Sequence, residues 1–348
     1  MKVKRLPLYR RILKEIEKEI QAHPNYADLR NQMGLLLVME GDQEGAEREF
    51  VLAIRLNSKY KEAALHLGYL YLEMERWKEA EEIFLSEARK NPKEGFLQHL
   101  LGMIYLQMGR RNEAILRIRK VFRGHPDCRN YYRKKGIWKK GKIHLDEKTG
   151  KGFGKIHLHR LYAQFYNFVG LYLARKGKST QAIRELKKAE KLIPDEFQFH
   201  SNLGSVYYHY ESYRRAIEEF KKALKLNPFY GMGYAYLSYT YGLMSRTREA
   251  LRLMEKAVRL NPRYADLHYN LALLYSDQKR YREAISELKK AIRINPNYLF
   301  ARINLGVLYE DQKRWKEAKR EYERILRITP EDEHVRRRLD RVSLSPRG

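Results

Sequence analysis

The chain has 348 residues, 43% of them hydrophobic, with 71 Lys and Arg against 43 Asp and Glu and a formal net charge of +28. That apolar content excludes wholesale disorder, and a single cysteine, Cys128, excludes an internal disulfide framework and suits a reducing, cytoplasmic compartment. The excess of cations admits a nucleic acid, an anionic surface or an acidic protein as partner, and where the charge lies decides among them.

Residues 1–26 read as a helix. Leu8, Ile12, Leu13, Ile16 and Ile20 are separated by charged residues as on one helical face. That pattern is not the unbroken apolar core of a signal peptide, and no stretch approaches the roughly 20 apolar residues of a membrane span. From residue 27 onward a period of 34 residues governs the sequence. Pro92, Pro126, Pro194, Pro228, Pro262, Pro296 and Pro330 stand in one register. Gly34, Gly68, Gly102, Gly170, Gly204 and Gly306 recur in phase, with Ser238 and Ala272 in their place in two units. Twelve residues after each comes an alanine, from Ala46 to Ala318, and between them stands an aromatic or leucine such as Leu37, Tyr71, Tyr207 or Tyr275. The spacing predicts pairs of short helices. Gly and Ala let the two axes approach and the large residues fill the groove. Pro ends the second helix for want of an N–H. Helices this short are marginal alone, so each pair must lean on the next.

Asn270-Leu271-Ala272, Tyr275, Ala284, Leu288, Ala291 and Pro296 carry the pattern within one unit, and on these residues the sequence resembles the tetratricopeptide repeat (TPR) family. The resemblance implies an all-α, right-handed α-solenoid of eight TPR helix hairpins: 27–60, 61–94 and 95–128, then 163–196, 197–230, 231–264, 265–298 and 299–332. Residues 1–26 are expected to form the N-terminal capping helix and 333–348 a C-terminal capping helix and tail, with Val335, Leu339 and Val342 at helical spacing.

Residues 129–162 break the pattern: Lys148, Gly152 and Arg160 stand where Ala, a large apolar residue and Pro are due. The segment reads either as a hairpin, with arms Lys142–Leu145 and Lys155–Leu158 about a turn at 146–154, or as a mobile loop. It holds eleven Lys or Arg against two acids, with interleaved aromatics. Arg133, Lys134, Lys135, Trp138, Lys139, Lys140, Lys142, Lys151 and Lys155 are thus candidate contacts to RNA or another anionic surface, phosphates on the cations and bases on the rings. A charged loop excluded from the core, its aromatics packed on neighbouring repeats, has the same composition.

The resemblance also implies that the first helix of each repeat lines a concave groove that takes a partner peptide. Its inward positions here include Leu35, Tyr69, Leu72 and Met103 in the early repeats. Later come Tyr208, Tyr239, Asp266, Tyr269, Asp277 and Phe300. Seven acids against one arginine, Arg175, occupy these positions, and nearly half are large and apolar, so the expected partner is a protein or peptide with apolar and basic character. No inward Lys is present, which excludes the carboxylate clamp of some family members. Asn202, Asn270 and Asn304 form a partial ladder that either grips a peptide backbone or bonds between neighbouring repeats.

Catalytic motifs are missing. Lys148-Thr149-Gly150-Lys151-Gly152 lacks the first glycine and the flanking strand and helix of a phosphate loop. The spacing of His125, Cys128, His144, His157 and His159 matches no common zinc site. The expectation is a non-catalytic binding scaffold without cofactor or metal. The alternative is an RNA- or anionic-surface-associated protein that uses residues 129–162 and cations on the second helices.

Overall fold

A computed structural model describes residues 7–92, 95–124, 138–139, 142–143 and 154–344. The chain divides into two units, Met1–Pro194 and Asp195–Gly348.

In the first unit a single helix, α1 (Pro7–Ala22), precedes three helix pairs. These are α2 (Ala27–Glu40) with α3 (Gln43–Leu56), α4 (Lys61–Glu73) with α5 (Trp77–Lys90), and α6 (Gly95–Gln107) with α7 (Arg111–Gly124). After a two-residue strand pair, β1 (Trp138–Lys139) with β2 (Lys142–Ile143), comes a fourth pair, α8 (Gly154–Arg175) with α9 (Ser179–Leu192). The second unit holds α10 (Phe197–His209) with α11 (Tyr213–Leu226), α12 (Gly231–Leu243) with α13 (Thr247–Leu260), α14 (Ala265–Asp277) with α15 (Tyr281–Ile294), and α16 (Leu299–Asp311) with α17 (Trp315–Ile328). The helix α18 (Glu333–Leu344) ends it. Within each of these pairs the helices pack on each other, and in the second unit every second helix packs on the first helix of the next pair. The described part of the second unit is thus a stack of TPR helix hairpins, and in the first unit the pairs from α2 to α7 stack in the same way.

Three local devices repeat along the chain. First, the small residue of each first helix faces the large residue sixteen positions on. A Cβ at Gly34, Gly68, Gly204 or Gly306 would come within 2.4–2.8 Å of the ring of Phe50, Phe84, Phe220 or Tyr322. Second, the turn inside each pair passes through one left-handed residue. This is Gly41, Gly109 or Gly177 in three pairs and Glu75, Glu211, Ser245, Lys279 or Lys313 in five, with φ between 56° and 85°. The conformation lets the next N–H reach back to the helix it has left, as Arg280 N–H does to the Tyr275 carbonyl at 2.9 Å. Third, the arginine after that residue lays its guanidinium over the ring five positions back, 4.4 Å from the centroid for Arg76 on Tyr71, Arg280 on Tyr275 and Arg314 on Tyr309. It also pairs with the glutamate three positions on, as Arg280 Nε does with Glu283 at 2.9 Å.

The ends are capped from within. Ile12 and Ile16 of α1 are buried, and α1 packs against α2. At the other end Val335 and Val342 of α18 join the core of α16 and α17. The buried Glu310 carboxylate accepts hydrogen bonds from Tyr322 Oη, Arg341 and, at 3.1 Å, Arg338 Nη1. Burial pulls the Glu310 carboxyl upward, but those donors outweigh it and hold the group below its usual range.

Two expectations need correction. Lys155–Leu158, read from the sequence as the second arm of a hairpin, lie inside α8. The strand partner of Lys142–Ile143 is Trp138–Lys139, antiparallel, with Trp138 opposite Ile143; residues 144–153 lie outside the described residues. The reason is cooperative. The apolar run Leu161, Phe165, Val169 and Tyr172 has helical spacing, and a helix once nucleated extends at little cost into the residues before it.

The second correction concerns the groove of the early repeats. The resemblance implies an open inner face on α2, α4 and α6. Instead α8, at 22 residues the longest helix described, packs against α2 and α4. Leu161, Phe165 and Val169 of α8 are fully buried, and so, nearly, are the inward positions Leu35, Tyr69, Leu72 and Met103. Phe165 meets the ring of Tyr9 edge-on at 4.9 Å, Tyr9 donates a hydrogen bond to Glu185 of α9 at 2.9 Å, and Arg160 covers the ring of Phe96. In this unit the chain's own helix thus lies against α2 and α4, two of the three first helices whose inner face the resemblance leaves open.

Candidate functional site

In the second unit the first helices α10, α12, α14 and α16 carry inward positions that no described helix covers in this way. Tyr208, Tyr239 and Tyr269 are half-buried, while Asp266, Asp277 and Phe300 are exposed. Phe300, at 67% exposure, stands on the first turn of α16.

The aromatic side chains join from pair to pair. The ring of Tyr236 stacks on Phe220 at 5.5 Å and meets Tyr239 edge-on at 6.3 Å. Tyr208 meets Tyr213 at 6.2 Å, and Tyr269 lies 5.2 Å from Tyr298. Hydrogen bonds lock these rings in place. Asn270 Nδ2 donates to Tyr239 Oη at 3.1 Å and to the Asp266 carbonyl at 2.7 Å. Asn304 Nδ2 repeats the arrangement one pair on, donating to Tyr269 Oη at 3.3 Å and to the Phe300 carbonyl at 2.9 Å. Asn270 and Asn304 therefore bond between neighbouring repeats, and their amide hydrogens are used in doing so. What each can still offer a partner is its carbonyl oxygen, an acceptor for a peptide N–H. Asn202 occupies the equivalent place in α10, half-buried.

The inward positions carry a net negative charge. Burial, with Asp266 and the phenols Tyr236 and Tyr208 adding to it, pushes the Tyr239 hydroxyl up to about 12. Burial and the hydrogen bond to Asp266 raise Tyr298 as well. These phenols stay protonated donors across the physiological range. The inward positions of α10, α12, α14 and α16 include Asp266, Asp277, Glu310 and Asp311 and no Lys or Arg. Glu310 is already held by Arg338 and Arg341, so Asp266, Asp277 and Asp311 are the exposed charges of the face.

The residues singled out by sequence divide accordingly. Tyr208, Tyr239, Asp266, Tyr269, Asn270 and Asn304 come together on one face. Asp277 lies at the far end of α14 and Phe300 at the near end of α16. Of the anion-contact candidates, Trp138 and Lys139 fall in β1, Lys142 in β2 and Lys155 in α8. Arg133, Lys134, Lys135, Lys140 and Lys151 lie outside the described residues. Sequence reasoning missed Tyr236 and Tyr298. Tyr298 carried a usable signal: a tyrosine two residues after the proline recurs as Tyr230, Tyr264 and Tyr298. Tyr236 carried one too: it stands where neighbouring repeats have Asn202 and Asn270, 34 residues from each. Among the described residues no helix is long and apolar enough to cross a membrane.

Models of the tetratricopeptide repeat match residues 63–95, 97–123, 197–230, 244–298 and 276–339. Among solved structures, MamA is 28% identical over 45% of this chain and 92% of its own, with a TM-score of 0.43. TTC0263, a thermophilic TPR protein of Thermus thermophilus, is 26% identical over 53% of this chain and 100% of its own, with a TM-score of 0.40. YrrB, described as a TPR protein with an unusual peptide-binding site, is 21% identical over 50% of this chain and 89% of its own, with a TM-score of 0.43. No curated protein matches the chain.

Proposed function

The chain belongs to the tetratricopeptide-repeat family, and from that premise we propose that it is a non-catalytic interaction scaffold whose second unit receives a peptide segment. The guest carries apolar or aromatic side chains together with Lys or Arg. One observation carries this reading: a run of tyrosines held by Asn270 and Asn304, with Asp266 set into it and no inward cation on any of the four helices. Rings fixed in advance lose little entropy on binding. Phenols and amide carbonyls suit a peptide backbone, and exposed carboxylates select a cationic sequence. The first unit is a poorer receptor, because α8 already covers α2 and α4. A reducing, cytoplasmic setting fits a chain whose only cysteine is Cys128.

The test is a peptide array screened with the full chain and with the double variant Tyr239→Ala/Tyr269→Ala. Basic, apolar peptides should bind the parent. Removal of two central aromatic anchors should weaken them by about 30-fold or more, on the order of 2 kcal/mol. A peptide set that binds both proteins equally would remove this face from consideration.

A further inference from the structure

We propose that the edge of the second unit formed by its inter-repeat turns docks on an anionic lipid surface. The second helix of every pair in this unit ends on a cation followed by an aliphatic residue: Lys225-Leu226, Arg259-Leu260, Arg293-Ile294 and Arg327-Ile328. The spacing is one repeat each time, so the pairs recur at the same end of α11, α13, α15 and α17, along one edge of the stack. Adjacent helices in such a stack lie roughly 10 Å apart, which makes the series a ladder and not a point charge.

Helix electrostatics explain only half of this. A cation in the last turn is favoured by the helix dipole, but an exposed aliphatic residue beside it gains nothing from that. Leu226, Ile294 and Ile328 are exposed nonetheless. The turns that follow add Phe229, 81% exposed, and Tyr264, 57% exposed. Of the nine exposed large apolar side chains described in this unit, five lie on this one edge, which marks it as an interaction surface.

The cations of the edge are also available. Four residues before the end of α11, α15 and α17, Lys222, Lys290 and Arg324 are held by Glu219, Glu287 and Glu321. Lys225, Arg259, Arg293 and Arg327 are exposed and form no ion pair among the described residues. Arg263, on the turn before α14, adds a fifth exposed cation.

Cations interleaved with exposed aliphatic and aromatic side chains match an interface in which phosphate headgroups overlie acyl chains. A nucleic acid would engage the cations and stack on the rings, but Leu226, Ile294 and Ile328 offer nothing to a base or a phosphate.

The experiment is co-sedimentation of the full chain with phosphatidylcholine vesicles, with and without phosphatidylserine. Two variants accompany it, Arg259→Glu/Arg293→Glu and Phe229→Ser/Ile294→Ser, each checked for unchanged helicity and melting. All four positions are exposed and none lies on the tyrosine face. The parent should sediment with the phosphatidylserine vesicles and not with phosphatidylcholine alone, and each variant should bind them at least about tenfold more weakly. Equal binding of parent and variants would overturn the proposal and place any vesicle affinity elsewhere, the basic sequence of residues 129–162 being one source. It would also be overturned if Arg259→Glu/Arg293→Glu lost poly(U) binding while Phe229→Ser/Ile294→Ser bound vesicles like the parent, an outcome that assigns the ladder to nucleic acid.

Discussion

Phe220 of α11 lies so close over Gly204 of α10 that a Cβ on Gly204 would come within 2.8 Å of its ring. The same relation appears at Gly34 and Phe50, Gly68 and Phe84, and Gly306 and Tyr322. Where the first helix carries Ala272 or Ser238 instead, the residue sixteen positions on is Leu288 or Met254, both buried. Every ring at this place faces a glycine, whereas aliphatic residues face Ala272 or Ser238 and also, as Ile118 and Leu186, Gly102 and Gly170.

Gly204→Leu should therefore cost about 1–3 kcal/mol or more through overpacking. Gly204→Ala should cost less, and Phe220→Leu should rescue it, because Leu can withdraw from the new methyl group. Urea melts of the two single variants and the double variant would give the coupling. Strict additivity would show that ring and glycine are not matched.

Lys279 adopts a left-handed backbone with φ of 60° at the turn between α14 and α15, a conformation that costs a side-chain-bearing residue roughly 1–2 kcal/mol. Lys279→Gly should raise stability by about 0.5–1 kcal/mol, and Gly177→Ala at the equivalent turn should lower it by a similar amount. Thermal denaturation reads both; a lower melting temperature for Lys279→Gly would contradict the strain.

His66 of α4 is buried, with Nδ1 2.8 Å from Asn31 Oδ1, and burial pushes its pKa down to about 4. The native state keeps this imidazole neutral while the unfolded chain protonates it below pH ~6.5. The stability it contributes is present above pH ~6.5 and is lost as pH falls toward 4, at up to about 1.4 kcal/mol per pH unit. The first unit should melt progressively lower across that window. A His66→Gln variant should flatten the dependence, and an unchanged slope would mean that other groups set it.

Phe165 of α8 is fully buried and meets the ring of Tyr9 edge-on. Phe165→Ala should cost about 3–5 kcal/mol. Because α8 packs against α2 and α4, hydrogen exchange should quicken in those two helices and stay unchanged in α14 to α17. Equal loss of protection in both sets would show that the effect is not local to the first unit.

The tyrosine face was partly legible in the sequence. Tyr239, Tyr269, Asn270 and Asn304 could be placed on one face by counting in steps of 34, because their positions follow from the repeat alone. That Asn270 spends its amide on Tyr239 could not be counted out, since the bond joins neighbouring helices at a distance and angle that only packing sets. Tyr236 and Tyr298 enter the aromatic run for the same reason.

By itself the sequence determined the helix pairs, their turns and the glycine–aromatic matches, since all of these join residues fewer than 34 positions apart, and the repeat rewrites the same short-range instructions each time. Only the tertiary structure decided that α8 turns back onto α2 and α4. That contact joins residues about a hundred positions apart, and the periodic pattern, which codes only for nearest neighbours, is silent about it. What settles such a contact is the apolar area that Leu161, Phe165 and Val169 bury as α8 packs on α2 and α4, a surface that exists only after the early repeats have folded.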